Sequence, residues 1–440
     1  MVPISAQRRR EIIYALRKGT VPRSGLGLFA VGLERFEGAI DSELEAVIQG
    51  GAGFKAVRGE YGSGKTFFTR WLQERARRRG MATTEVQVSE TETPLHRLGT
   101  VYRRLIERLA TDDTPQAAFR SVLDRWFFVL EQDALAERQF DEGNTEALLK
   151  RVGELLEVRL AVVSRTAPTF ASALRAMRTA QLRGEAAVAD GLLAWLAGQP
   201  NVGAAVKRVA GVKGDLDHYG ALAFLQGLLI VLRDAGHPGL VFVLDEVETL
   251  QRVRGDVREK ALNALRQVID EVDSARFPGL YVTMTGTPAF FDGPQGVQRL
   301  APLAQRLHVE FSSETQFDNP RAVQVRLPGF TEEGLVEVGS RIRDIYAQGA
   351  ESSARIGELV DNDYIRTLAK AMAGAFGGKV GVVPRVFLKK LVGEVLDRVD
   401  QFPDFDPRRH YSLTLAAPEL TPAEQAAAGV ASADNIEINL

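Results

Sequence analysis

Residues 59–66, Gly59-Glu60-Tyr61-Gly62-Ser63-Gly64-Lys65-Thr66, form an unbroken G-x-x-x-x-G-K-T pattern. Ahead of it, residues 53–57 read as a short apolar strand. Behind it, residues 66–79 read as a helix that ends at Gly80. A glycine-rich turn between a strand and a helix lets successive backbone N–H groups and the helix N-terminus face a phosphate chain. In that setting Lys65 reaches the β- and γ-phosphates, and the Thr66 hydroxyl is a ligand for Mg²⁺. Gly59, Glu60, Tyr61, Gly62, Ser63, Gly64, Lys65 and Thr66 are therefore the candidate nucleotide-binding residues.

Working outward, residues 83–88 are a second β-branched and apolar strand, so strand, helix and strand make a parallel α/β unit. From about 94 to 236 the periodicity is helical. Strand signals return at 240–244 and 280–285, separated by a helix over 257–272. After a short stretch near 323–327, helices over about 332–346, 364–375 and 384–399 read as a small helical domain. The tail is rich in Ala, Pro and acids. The expected fold is an α/β P-loop NTPase with a parallel sheet, a large helical insertion and a C-terminal helical lid. Its expected parts are a basic helix and loop (1–30), a split core (31–93 and 237–328), the insertion (94–236), the lid (329–400) and a poorly ordered tail (401–440).

The phosphate loop needs a metal partner, and Val241-Phe242-Val243-Leu244-Asp245-Glu246 supplies one. Four apolar residues deliver two acids at the carboxyl end of a buried strand. Asp245 would hold Mg²⁺, and Glu246 would polarise the attacking water. The next strand ends in Thr283-Met284-Thr285-Gly286-Thr287, so Thr285, or else Thr287, is the candidate γ-phosphate sensor between the other two strands. Arg306, and after it Arg299, lies on a short helix from which a guanidinium would reach a neighbouring subunit's nucleotide. Arg385 follows a helix-starting proline and would close on the γ-phosphate in cis.

Composition narrows the alternatives. The 440 residues carry 55 Lys and Arg against 57 Asp and Glu, so no global basic surplus points to nucleic acid. With no cysteine, disulfides, thiolate zinc sites and cysteine nucleophiles are excluded. The five histidines are too scattered for a local metal motif. No leader-like apolar run follows the N-terminal arginines, and no span of about 18 uncharged apolar residues occurs, so a soluble cytoplasmic protein is expected. Arg8–Arg10 with Arg17 and Lys18, the run Arg75 to Arg79, and Arg103 with Arg104 are the stretches able to grip DNA phosphates without reading sequence. Trp126, Phe127 and Phe128 fall in an amphipathic helix and are expected in the core.

Taken in order, the loop, the Asp-Glu strand, the threonine-ended strand and the two arginines resemble the AAA+ ATPases, particularly the origin-recognition and helicase-loader branch and the STAND switches. Val31-Gly32-Leu33-Glu34-Arg35-Phe36 resembles the upstream box that packs near the adenine, which makes Val31 and Gly32 candidates for lining the base. Residues 16–36, 54–80 and 86–105 are similar to the ATP-binding proteins of bacterial BREX phage-defence loci. That resemblance implies ATP and Mg²⁺ as cofactors and ATP hydrolysis in a homo-oligomer. It further implies a defence helicase as partner, which the chain would load or regulate on DNA. AAA+ origin proteins usually append a winged helix, whereas only about 40 residues follow Val399 here, so a dedicated C-terminal DNA reader is not expected. The alternative is a non-catalytic scaffold, stabilised by nucleotide, whose insertion recruits partners.

Overall fold

The computed structural model describes residues 4–137, 145–375, 384–415 and 436–438. The chain opens with α1 (Ala6–Arg17) and α2 (Glu34–Ile48), then runs through β1 (Gly53–Arg58), α3 (Lys65–Arg77) and β2 (Ala82–Gln87). Seven helices follow: α4 (Leu98–Glu107), α5 (Phe119–Ala136), α6 (Thr145–Thr166), α7 (Pro168–Leu182), α8 (Ala186–Leu196), α9 (Ala204–Val209) and α10 (His218–Asp234). The chain then returns to β3 (Leu240–Asp245), α11 (Gly255–Asp273), β4 (Leu280–Gly286), α12 (Pro288–Asp292), α13 (Ala301–Leu307) and β5 (Gln324–Arg326). The C-terminal helices are α14 (Glu332–Ala347), α15 (Ser353–Leu359), α16 (Asn362–Ala375), α17 (Pro384–Lys390), α18 (Asp397–Gln401) and α19 (Pro407–His410), with a π turn at Leu391–Leu396.

The sheet has the order β2-β3-β4-β1-β5, and every pair is parallel. All residues of β3 and β4 are buried, as a parallel sheet covered on both faces requires. Alternation divides their side chains between two cores. Leu240, Phe242, Leu244, Val282 and Met284 face a cluster that continues into α4 to α8, α10 and α11. The helices between β2 and β3 thus share a core with one face of the sheet. Val57, Val241, Val243 and Tyr281 face the other cluster, built from α1, α2, α3 and the C-terminal helices. β3 is apolar from Leu240 to Leu244 and carries its one polar side chain, Asp245, at its carboxyl end.

The N-terminal segment ties α3 to the C-terminal helices. Ile12, Ile13 and Leu16 of α1 are buried in the second core. The Arg17 guanidinium donates to both carboxylate oxygens of Asp397 at 2.6 and 2.7 Å, and the Tyr346 hydroxyl donates to the same carboxylate at 2.8 Å. Further along, the N–H groups of Gly25 and Leu26 donate to the buried Glu74 of α3, each at 2.9 Å, and Arg70 of α3 donates to the Val21 carbonyl.

Three details depart from the sequence reading. A poorly ordered tail from 401 does not hold for residues 401–415: Asp406 caps α19, Tyr411 and Leu413 are buried, and β6 (Leu413–Leu415) pairs antiparallel with β7 (Ile436–Ile438). The Ala-, Pro- and acid-rich stretch that follows about Leu415 lies outside the described residues apart from 436–438. Phe128 is 56% exposed while Trp126 and Phe127 are buried, because it lies on the opposite side of α5 from them. The sequence reading also did not place α2 and α15. No helix among the described residues is long and apolar enough to cross a membrane.

Replacing Arg17 with Ala would leave the largely buried Asp397 with Tyr346 as its one donor among the described residues. Because Arg17 is itself 43% exposed, the expected cost is about 1–2 kcal/mol rather than that of a fully buried pair, read as a lower midpoint in urea unfolding.

Candidate functional site

The turn from β1 into α3 is made by glycines. Gly62 and Gly64 adopt φ of +80° and +90°, a region that other residues enter at a cost. Lys65 opens α3 and is buried. Its ammonium donates to the carbonyls of Gly59 at 2.8 Å and Glu60 at 3.2 Å, lies 3.8 Å from a Glu248 carboxylate oxygen, and sits 5.1 Å from the centre of the Tyr61 ring. Burial lowers its pKa, against which the carboxylates of Glu248 and Asp245 act to raise it. Ser63 is buried, and its hydroxyl has no hydrogen-bond partner among the described residues.

Strand order brings the two acids to this turn. β4 lies between β1 and β3, so the ends of all three strands are neighbours. The Thr66 hydroxyl donates to Asp245 Oδ2 at 3.3 Å. Thr285 is fully buried; its hydroxyl donates to Asp245 Oδ1 and accepts the Glu246 N–H at 3.1 Å. Thr285 therefore orients Asp245, and its hydroxyl is already committed there. Thr287 is also buried, at the start of α12.

Glu246 leaves β3 with φ of +59° and ψ of +43°, a left-handed conformation that costs a side-chain-bearing residue of order 1 kcal/mol. The turn aims its carboxylate across the sheet edge at Gln87, the last residue of β2, whose amide donates to it at 2.8 Å. Gln87 and Asp245 are register partners, so the parallel pairing itself sets this contact.

On the other side of the glycine turn, Val31 and Phe330 converge on the first turn of α14. A Cβ on Gly334 would meet the Phe330 ring at 3.5 Å and the Val31 side chain at 3.9 Å, and a Cβ on Gly64 would meet the same ring at 3.7 Å. Gly32 has φ of +74°. Arg341 of α14 donates to the Ala30 carbonyl and fastens this segment to the C-terminal helices.

The arginines are placed less simply. Arg306 is ion-paired with Asp270 of α11 and donates to the Pro302 carbonyl at 2.9 Å, while Arg299 is exposed. Arg385 lies on α17 beside Gly19, with a guanidinium nitrogen 3.5 Å from where a Cβ there would sit, and it interacts with its surroundings. Residues 381–383, which lead into it, lie outside the described residues. Two of the three basic stretches are largely spent within the chain, whereas Arg8–Arg10 of α1 make no ion pair among the described residues, with Arg8 and Arg10 exposed. Arg75 and Arg79 pair with Asp41 at 2.6 and 2.8 Å, Arg78 pairs with Glu74 at 2.8 Å, Arg77 donates to Thr83, and Arg104 pairs with Glu107 at 2.9 Å.

Three site residues escaped the sequence reading. Gln87 carries no local signal, because its partner is 159 positions away. Phe330 follows β5 in a stretch without periodicity. Glu248 was visible as a third acid after Asp245 and Glu246, but only the 3-10 turn Val247–Gln251 shows that it folds inward toward Lys65.

Residues 4–415 match the family model described as BREX system ATP-binding protein BrxC/D. No curated protein and no solved structure matches the chain. The match takes in the whole five-stranded sheet, the glycine turn and both acidic strand-end residues, and on that extent the chain belongs to the BREX system ATP-binding protein BrxC/D family.

Proposed function

We propose that the chain is an ATP-hydrolysing AAA+ switch of the BrxD type that loads or regulates a defence helicase. The observation that carries this reading is the meeting of Lys65, Thr66, Asp245 and Glu246 at adjacent strand ends, with Thr66 and Asp245 already in hydrogen-bond contact. The glycine turn would cradle the phosphates of ATP, with Val31, Gly32 and Phe330 against the base. Lys65 would exchange the loop carbonyls for β- and γ-phosphate oxygens.

A hydroxyl and a carboxylate side by side are hard oxygen donors of the kind Mg²⁺ takes, and the Thr285 hydroxyl fixes the carboxylate from behind. When bound there, Mg²⁺ would neutralise charge on the phosphate oxygens. Thr66 and Asp245 would hold it. Glu246, once released by Gln87, would accept a proton from the water that attacks the γ-phosphorus, and ADP would leave.

The C-terminal helices, tied to the base-side segment through Arg341 and to α3 through the N-terminal segment, are suited to respond to nucleotide. On this reading the chain works as a homo-oligomer. Arg306 would leave Asp270 to act in trans on a neighbour's nucleotide, and Arg385 would act in cis. Any direct contact with DNA phosphates would fall to Arg8–Arg10 rather than to Arg75 to Arg79, whose ion pairs oppose phosphate binding there.

Steady-state ATP hydrolysis, with and without single- and double-stranded DNA, tests the reading. Lys65→Ala should weaken ATP binding at least tenfold by removing a charge-assisted contact. Glu246→Gln should keep binding and lose about 100-fold or more in turnover. Wild-type turnover in Glu246→Gln would contradict the base assignment.

Thr285→Val keeps the shape but removes a donor to Asp245 and an acceptor for the Glu246 N–H. It should cost about 1–2 kcal/mol of stability and weaken Mg²⁺-dependent ATP binding more than metal-free binding. Equal loss in both would make Thr285 purely structural.

A further inference from the structure

Glu248 is a buried carboxylate that the mechanism above does not use. It is 5% exposed, and neither of its oxygens has a hydrogen-bond partner among the described residues. Such a group is costly to keep, and an apolar side chain would fill the same space without that cost. Its position explains its presence. The 3-10 turn after β3 aims it back toward the glycine turn, 3.8 Å from the Lys65 ammonium, which is also held by the carbonyls of Gly59 and Glu60. Around it the field is otherwise mostly negative. Asp245 and Glu246 act on it in the same sense as burial, and Lys65 opposes them.

We propose that Glu248 is a positioning residue that sets nucleotide affinity: it holds the Lys65 ammonium against the loop in the nucleotide-free chain and opposes arrival of the terminal phosphates. The inference rests on the reading of residues 59–66 as the nucleotide site. When phosphate oxygens draw Lys65 away from its carbonyls, Glu248 loses its cationic partner and faces added negative charge at short range. Both effects weaken binding, and both grow with the number of phosphates near Lys65. The site therefore binds less tightly than its glycine turn and lysine alone would allow, and it releases nucleotide more readily.

The test is titration of the full chain with AMP, ADP and ATP in EDTA, for the wild type, Glu248→Gln and Glu248→Asp. Glu248→Gln should tighten ATP by about tenfold, tighten ADP less, and leave AMP nearly unchanged, because one unit charge a few ångströms away is worth about that much in a partly buried site. Glu248→Asp keeps the charge and should stay near wild type. An equal change for all three nucleotides, no gain for ATP, or a Glu248→Asp variant that behaves like Glu248→Gln would each overturn the inference. A wild type that binds none of the three would overturn the site reading and this inference with it, whereas binding in the wild type without a gain in Glu248→Gln overturns the inference alone.

Discussion

Asp245 is where the parts of this protein meet. One oxygen accepts from Thr66 at the start of α3, and the other accepts from Thr285 at the end of β4. The backbone N–H of Glu246 also points at Asp245, 3.2 Å away. These polar contacts join a helix start to two strand ends, beside the apolar packing of Phe68 and its neighbours in α3 against the same sheet. β3 is apolar up to its last residue, so its one polar group, Asp245, is delivered at the carboxyl end.

The same strand end holds two kinds of tension. Glu246 sits in a left-handed conformation with its carboxylate turned to Gln87, and Glu248 lies buried with no side-chain hydrogen-bond partner among the described residues, beside the lysine of the glycine turn. Each would be relieved by a simpler residue. Strain and unpaired charge of this sort persist where the surrounding structure holds them, and they concentrate at sites that must change state. Both departures lie within three residues of Asp245, while the packing of the sheet itself is regular. The N-terminal segment extends this site outward by linking α3, which begins at Lys65, to the C-terminal helices through Glu74 and Arg17.

Much of this could be read from local sequence. Residues 53–66 and 240–246 declare themselves because apolar strands followed by glycine or acids leave few alternatives, and the structure places the corresponding strands within a residue or two of those limits. What could not be read depends on contacts across long stretches of chain. Gln87 reaches Glu246 only through parallel pairing, and Arg17 meets Asp397 across 380 positions. Charge runs misled for the same reason. Arg75 and Arg79 look like a phosphate-binding patch until α2 brings Asp41 between them.

On the proposed function, Lys65, Thr66 and Asp245 form a single nucleotide site. The most direct measurement is an experimental structure of the chain bound to a non-hydrolysable ATP analogue and Mg²⁺. The account predicts the metal between the Thr66 hydroxyl and Asp245, the triphosphate within the glycine turn, and the Lys65 ammonium moved from the Gly59 carbonyl to phosphate oxygen. Nucleotide bound elsewhere, or bound here with Lys65 still on its carbonyls, would contradict it.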